Sequence, residues 1–299
     1  MFESLQAHQN SYIKGFRSSE ALFYLAQKRS IMKAWSINSR DILILTACIL
    51  VILFYSSPVK SEQEFFSQGE KITFEVRWSF VVAGEATLEV MPVEDLNGAP
   101  ALHFVYTAKT TPFVDAFYKV RDRIESWTDK NLTRSFLYRK RHEGKSVKEI
   151  LVQFDWNKLE ARQIKNANIT DTVSIEGNTF DPLSVFYAFR VGKPDEHNCI
   201  KINLTDGKKV IRANAKLLGK QKVTIAEKSY DTILVEPEIE GISGVFQKTK
   251  NSRMQIWITD DNKRIPVRIK SRVTVGSFIA DLISYSPGGK TSGPNIQGQ

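Results

Sequence analysis

The residues of this chain whose types could carry chemistry are few and scattered. Asp181 stands directly before Pro182 and a run of apolar residues. A carboxylate there could serve a site, but it is also what the first turn of a helix needs to satisfy its free N–H groups. The pair Asp260-Asp261 has the composition of a cation site or an acid-base pair. With Asn262 it equally has the composition of a hairpin turn. His103, His142 and His197 lack HxH or HExxH spacing, so they build neither a shared metal site nor a triad. Gly241-Ile242-Ser243-Gly244 misses the G-x-S-x-G spacing of a nucleophile elbow. Cys199 lies on the polar phase of its strand, opposite Ile200, Ile202 and Leu204, and no histidine or basic neighbour marks it as an activated thiol. The chain is therefore read as non-enzymatic, with no catalytic residue, metal ligand or cofactor assigned. The strongest charged feature is basic: Arg134, Arg139, Lys140, Arg141, Lys145 and Lys148 span a hairpin around Glu143-Gly144. Such an edge resists aggregation by its charge, and it also has the chemistry to meet anionic headgroups or an acidic partner.

The elements that must position these residues are strands, because apolar residues recur with period two. Ile72, Phe74, Val76 and Trp78 alternate with Thr73, Glu75, Arg77 and Ser79, and Ala83-Gly84 reads as the bend before Ala86, Leu88 and Val90. Leu102, Phe104, Tyr106 and Ala108 continue the pattern. So do Ile150, Val152, Phe154 and Trp156, then Met254, Ile256 and Ile258, then Val267 to Val275. Roughly a dozen such runs joined by short polar turns predict an antiparallel meander. One segment breaks the period. Asp181 to Arg190 carries an N-cap residue, proline at the first helical position and apolar residues at helical spacing up to Gly192, which predicts a short helix. A weaker helical or irregular element is Pro112 to Tyr118.

The uncharged block Ile42–Tyr55, preceded by a net-positive segment, predicts export with everything after it on the far side of the membrane. It is shorter than the ~20 residues of a spanning helix. Continued to Val59 it approaches that length, so two readings stay open. One is a signal peptide cut near Ser61, with Val59 and Ser61 in the pocket positions. The other is a signal anchor over residues 42–59 that holds the chain to the inner membrane. Met32 opens a stretch that alone would make an ordinary leader, so the start at Met1 or Met32 is open too. Leu45-Thr46-Ala47-Cys48 approaches a lipoprotein box, but too few apolar residues precede Cys48 and the apolar run continues past it. Residues 62–286 form the β domain and 287–299 read as a disordered tail. Lys and Arg number 42 against 33 Asp and Glu, a net charge of +9. After Ser61 the balance is 35 against 30, or +5, a mild excess compatible with a phospholipid or lipopolysaccharide surface and no evidence for nucleic acid. With Cys48 in the export block, Cys199 has no partner for an intramolecular disulfide.

Four blocks in order, KITFEVRWSFVVAGEATLEV, FYKVRDRIESWTD, TFDPLSVFYAFR and QIWITDDNKRIPVRIKSRVTVGSFIADL, resemble the DUF3108 family of exported bacterial proteins over about residues 66 to 285. The resemblance implies a mainly antiparallel β fold and a periplasmic, Gram-negative envelope setting, and brings no catalytic residue with it. The expected architecture is one large curved sheet or open half-barrel, with the short helix on its concave face and the apolar export helix ahead of it. Its likeness to lipid-binding half-barrels is one of shape alone. On that reading the concavity takes an apolar or amphipathic ligand, with Phe74, Trp78, Phe186, Tyr187 and Trp257 near the pocket. The alternative is a structural protein that joins a protein partner in an envelope assembly.

Overall fold

The computed structural model describes residues 65–144, 146–239, 254–272 and 277–289. The block 42–55 with Cys48, the start at Met32, the cleavage position at Ser61, Lys145, residues 241–244, Val273, Val275 and the tail from residue 290 lie outside the described residues.

Sixteen described strands form one sheet. From β1 (Glu70–Trp78) the chain meanders outward through β2 (Val81–Val90), β4 (Ala99–Thr110), β5 (Arg121–Asp129), β6 (Ser135–Glu143), β7 (Val147–Asp155), β8 (Glu160–Lys165) and β9 (Asn168–Ser174), while short β3 (Glu94–Leu96) pairs with β4. It then crosses to β10 (Thr179–Phe180), enters helix α2 (Ser184–Val191), and returns through β11 (Cys199–Thr205), β12 (Val210–Ile225), β13 (Lys228–Glu238), β14 (Met254–Thr259) and β15 (Pro266–Arg272). Strand β16 (Ser277–Pro287) closes the circuit on the free side of β1. Neighbours are antiparallel except β10 and β11. β9 and β10 share no ladder, so the barrel stays open. Gln163 of β8 donates to the carbonyl of Asp206 after β11, 2.7 Å away, and links regions near the two ends. Gly207 permits this approach: its φ is +86°, and a Cβ there would lie 2.9 Å from the Gln163 Cβ.

Period two sets the inward phase. Ile72 and Phe74 of β1, Leu88 and Val90 of β2, Phe104 of β4, Ile124 of β5 and Val152 of β7 are buried around α2, whose Val185, Phe186, Tyr187 and Ala188 are buried too. The helix lies on the concave side, as its aromatic surface predicts. It begins at Ser184 and not at Asp181, because the Asp181 carboxylate accepts the N–H groups of Leu183 and Ser184 from outside the first turn. The bend after β1 also differs from expectation. The strands join at Ser79-Phe80, and Ala83 and Gly84 sit inside β2, beside a register shift in its pairing with β1, and on the β4 side a Cβ on Gly84 would lie 2.2 Å from the Lys109 carbonyl oxygen. Glycine there is a packing requirement of the sheet.

Candidate functional site

Strand direction gives the domain two unlike ends. At one, the C-terminal end of α2 is fastened into the barrel. The Arg190 guanidinium, buried, donates to Glu70 at 2.7 Å and to the carbonyls of Phe65 and Lys263. Arg264 donates to the carbonyls of Arg190 and Gly192, and Phe66 packs edge-on to Phe104 and Tyr187. At its other end α2 is held by Asp181, which is fully buried. One carboxylate oxygen takes the two N–H groups of the helix start, and the other takes the hydroxyls of Ser126, Ser135 and Ser184 at 2.5–2.6 Å. The helix is thus a plug with both ends tied to the sheet.

Above the plug the concave face is not filled. Pro182, Leu183 and Phe186 floor a cavity of about 370 Å³ whose walls include Phe74, Leu88, Met254 and Ile269. It continues, through shared Val76, Tyr106 and Phe278, into a second space of about 500 Å³ lined by Trp78, Ala108, Phe113, Phe117 and Tyr118. The inner cavity's polar lining groups are Ser271 and the Tyr106 hydroxyl, whereas Glu85, Lys109 and Thr110 border the outer space alone. The outer space is bounded by helix α1 (Pro112–Asp115), which is short but firmly set. Thr111 caps it, and Arg121 donates to both oxygens of Asp115, at 3.0 and 2.6 Å. That guanidinium and the Thr110 hydroxyl hold the Asp115 carboxyl below the usual carboxylate range.

The five aromatic residues expected near a pocket divide by position. Phe74 and Phe186 line the inner cavity and Trp78 the outer one. Tyr187 lies in packed core, its ring 3.9 Å from that of Phe104. Trp257 is a correction: Met254 and Ile256 take the inward phase of β14, so the indole falls on the other face and donates to Gln221. The basic cluster is divided as well. Register pairs Arg139 and Arg141 with Glu125 and Arg123 on the outer face, while Lys140 and Lys148 share the inner phase with Tyr138 and His142. Arg134 stacks over Trp156. Asp261 is occupied by turn chemistry, accepting the N–H groups of Lys263 and Arg264, and Asp260 pairs with Lys220. His103 bonds Glu94, His142 bonds Asp122, and His197 is exposed beside Glu196. Among the described residues no three His, Cys, Asp or Glu side chains group as metal ligands. Cys199 is buried despite its polar phase, because the Asp195–Asn198 turn folds back over the strand start through a bond from the Cys199 N–H to Asp195.

The mouth residues Phe80, Phe113, Phe117, Tyr118 and Phe278 are not among the five aromatic residues expected near a pocket. Two signals point to them: the bend Ser79-Phe80-Val81 lacks the Gly, Asn or Asp of an ordinary hairpin turn, and PFVDAFY is aromatic where a loop should be polar.

A family model described as a protein of unknown function, DUF3108, matches residues 73–283. The chain belongs to that family. A crystal structure of a beta-barrel-like protein of the domain of unknown function DUF1849 from Brucella abortus matches with 9% identity and a TM-score of 0.48, covering 75% of this chain and 99% of that one. No curated protein matches the chain.

The cavity wall also makes a prediction about pH. Burial, with Asp122 adding, pushes the Tyr106 hydroxyl up to about 12, and burial with Glu70 nearby does the same to Tyr285. Tyr138 and Tyr187 are raised by burial as well. A raised tyrosine favours the protonated form in the folded state, so its contribution is complete below the unfolded value of about 10 and is lost as pH climbs from there through about 12. Ultraviolet titration should show the phenolates of this DUF3108 protein appearing in two stages, the later one together with loss of fold. A single stage near pH ~10 with the fold intact would contradict this.

Proposed function

We propose that the domain is an exported, non-enzymatic envelope protein that binds an apolar or amphipathic, lipid-like ligand in the cavity above α2. One observation carries this reading: the floor and walls of the inner cavity are apolar apart from Ser271 and the Tyr106 hydroxyl, and they run without a break to a mouth at the barrel end. Volumes of about 370 and 500 Å³ fall in the range of small-molecule sites, roughly 300–1,000 Å³, and such sites are mostly apolar with a few polar groups to fix orientation. Here Thr110 and the Tyr118 hydroxyl supply polar groups in the outer space, while Glu85 and Lys109, paired with each other next to inward Ala86 and Ala108, turn to the outer face of the rim. Export rests on the apolar block Ile42–Tyr55 and the positive segment ahead of it.

The test is extraction of the purified full chain with organic solvent and mass spectrometry of what is released, joined to displacement of a fluorescent fatty-acid analogue. Lipid at near-stoichiometric amounts is expected. Ala108→Trp, which fills part of the outer space through which the inner cavity opens, should weaken the analogue's binding about tenfold or more with the circular dichroism unchanged. An empty cavity and no analogue binding would favour the envelope-assembly reading instead.

A further inference from the structure

We propose that the mouth of the cavity is a docking surface for an anionic lipid bilayer, with its aromatic rim entering the headgroup region. Single exposed apolar residues are ordinary, whereas clusters around a cavity mark an interaction surface. Phe80 is 100% exposed, Phe117 75%, Phe113 66% and Tyr118 65%. All four stand at one end of the barrel on two elements that touch: the Thr111 N–H at the start of α1 donates to the Ala83 carbonyl, and the Thr111 hydroxyl to that of Val82, just past the β1–β2 bend. Trp78 and Phe278 stack beside them and continue the rim. The Arg121–Asp115 bonds hold α1 in place, so its rings are presented on a fixed element. Tyr and Trp side chains suit a bilayer interface because one end is apolar and the other polar.

Charge selects the kind of surface. The two acids on the rim are already matched, Glu85 by Lys109 and Asp115 by Arg121. Exposed Lys119, Lys148 and Arg272 remain, and none makes an ion pair among the described residues. Arg272 lies beside the rim, opposite Ser277 and next to the pair of Phe278, and the Lys119 carbonyl lies 3.1 Å from where a Cβ on Gly144 of the β6–β7 hairpin would stand. Unmatched cations favour a negatively charged surface over a neutral one, and the exposed rings beside them, which suit a headgroup region, point to an anionic bilayer. The inference rests on the ligand-binding reading for its purpose, since a docked mouth would let a lipid pass between bilayer and cavity without crossing water.

The test uses the full chain in a Cys48→Ser, Cys199→Ala background with an environment-sensitive fluorophore on either Phe80→Cys or Glu227→Cys. Glu227 lies in the β12–β13 turn at the opposite end. On vesicles of phosphatidylglycerol and phosphatidylcholine, emission from position 80 should rise several-fold and shift to the blue, while position 227 stays unchanged. Lys119→Glu with Arg272→Glu should weaken the apparent vesicle affinity read at position 80 about tenfold or more, and added salt should act the same way. A probe at position 80 that stays water-exposed on vesicle-bound protein would overturn the proposal. So would a rise without vesicles that grows with protein concentration, which would assign the rim to a second copy. The analogue-binding assay is read separately: analogue binding with a wet rim refutes docking alone, and an immersed rim with no analogue binding refutes the ligand reading alone.

Discussion

Glu70→Gln should destabilise the domain by about 3–5 kcal/mol, because it strands a guanidinium in the barrel interior. Arg190 and Glu70 are both almost completely buried, at 2% and 1% exposure, and their closest approach is 2.7 Å. Two charges so far from water are held by each other and by the Phe65 and Lys263 carbonyls, so removal of one leaves the desolvation of the other without compensation. Arg190→Met should cost about as much for the opposite reason, an orphaned carboxylate with only the Tyr285 hydroxyl in reach among the described residues. Combining Glu70→Gln with Arg190→Met should recover most of the loss, since the uncompensated charge is then gone. Urea unfolding of the four proteins measures this. Single variants within about 1 kcal/mol of the parent, or a double variant as unstable as the sum, would refute the account. Because this pair seats one end of α2, each single variant should also weaken ligand retention at the cavity floor.

Asp181→Ala should be comparably damaging, at about 3 kcal/mol or more. It leaves the N–H groups of Leu183 and Ser184 and three serine hydroxyls without their acceptor in a dry interior. Asp181→Asn keeps one oxygen to cap the helix and offers an NH2 to hydroxyls that can rotate to accept it, so its cost should be smaller. A thermal melt and hydrogen exchange of the α2 amides separate the cases: Ala should melt lowest and expose the helix. Equal melting of Asn and Ala variants would show that the helix-capping bonds are not what Asp181 contributes. The same geometry explains why a carboxylate before proline is structural here. Every lone pair it offers is already taken by the helix or the sheet.

How much of this was legible in sequence depends on range. The inward phase of β1, β4 and β14 follows from alternation alone, since a strand turns its side chains over at every residue. The same rule already places Trp257 opposite Met254 and Ile256, and splits Arg139 and Arg141 from Lys140. That a helix follows Asp181-Pro182 was readable because the carboxylate's bonds to nearby N–H groups are local, although the first turn opens at Ser184 and not at Pro182. The bend at Ser79-Phe80 was not, because its residues are wrong for a free hairpin and Gly84 imitates a turn glycine while answering a close approach of β4.

The chain by itself determined a mainly antiparallel sheet, a single aromatic helix after Asp181 and membership of the DUF3108 family, all through patterns that repeat over a few residues. Only the tertiary structure decided that Glu70 meets Arg190 from 120 positions away and that Ser126 and Ser135 converge on Asp181. It alone also decided that inward Val76, Tyr106 and Phe278 line a cavity while inward Phe104 packs against Tyr187. Period two states which face a side chain takes. Whether that face finds a neighbour across the barrel depends on sheet curvature and on where the helix stops, which are sums over the whole fold.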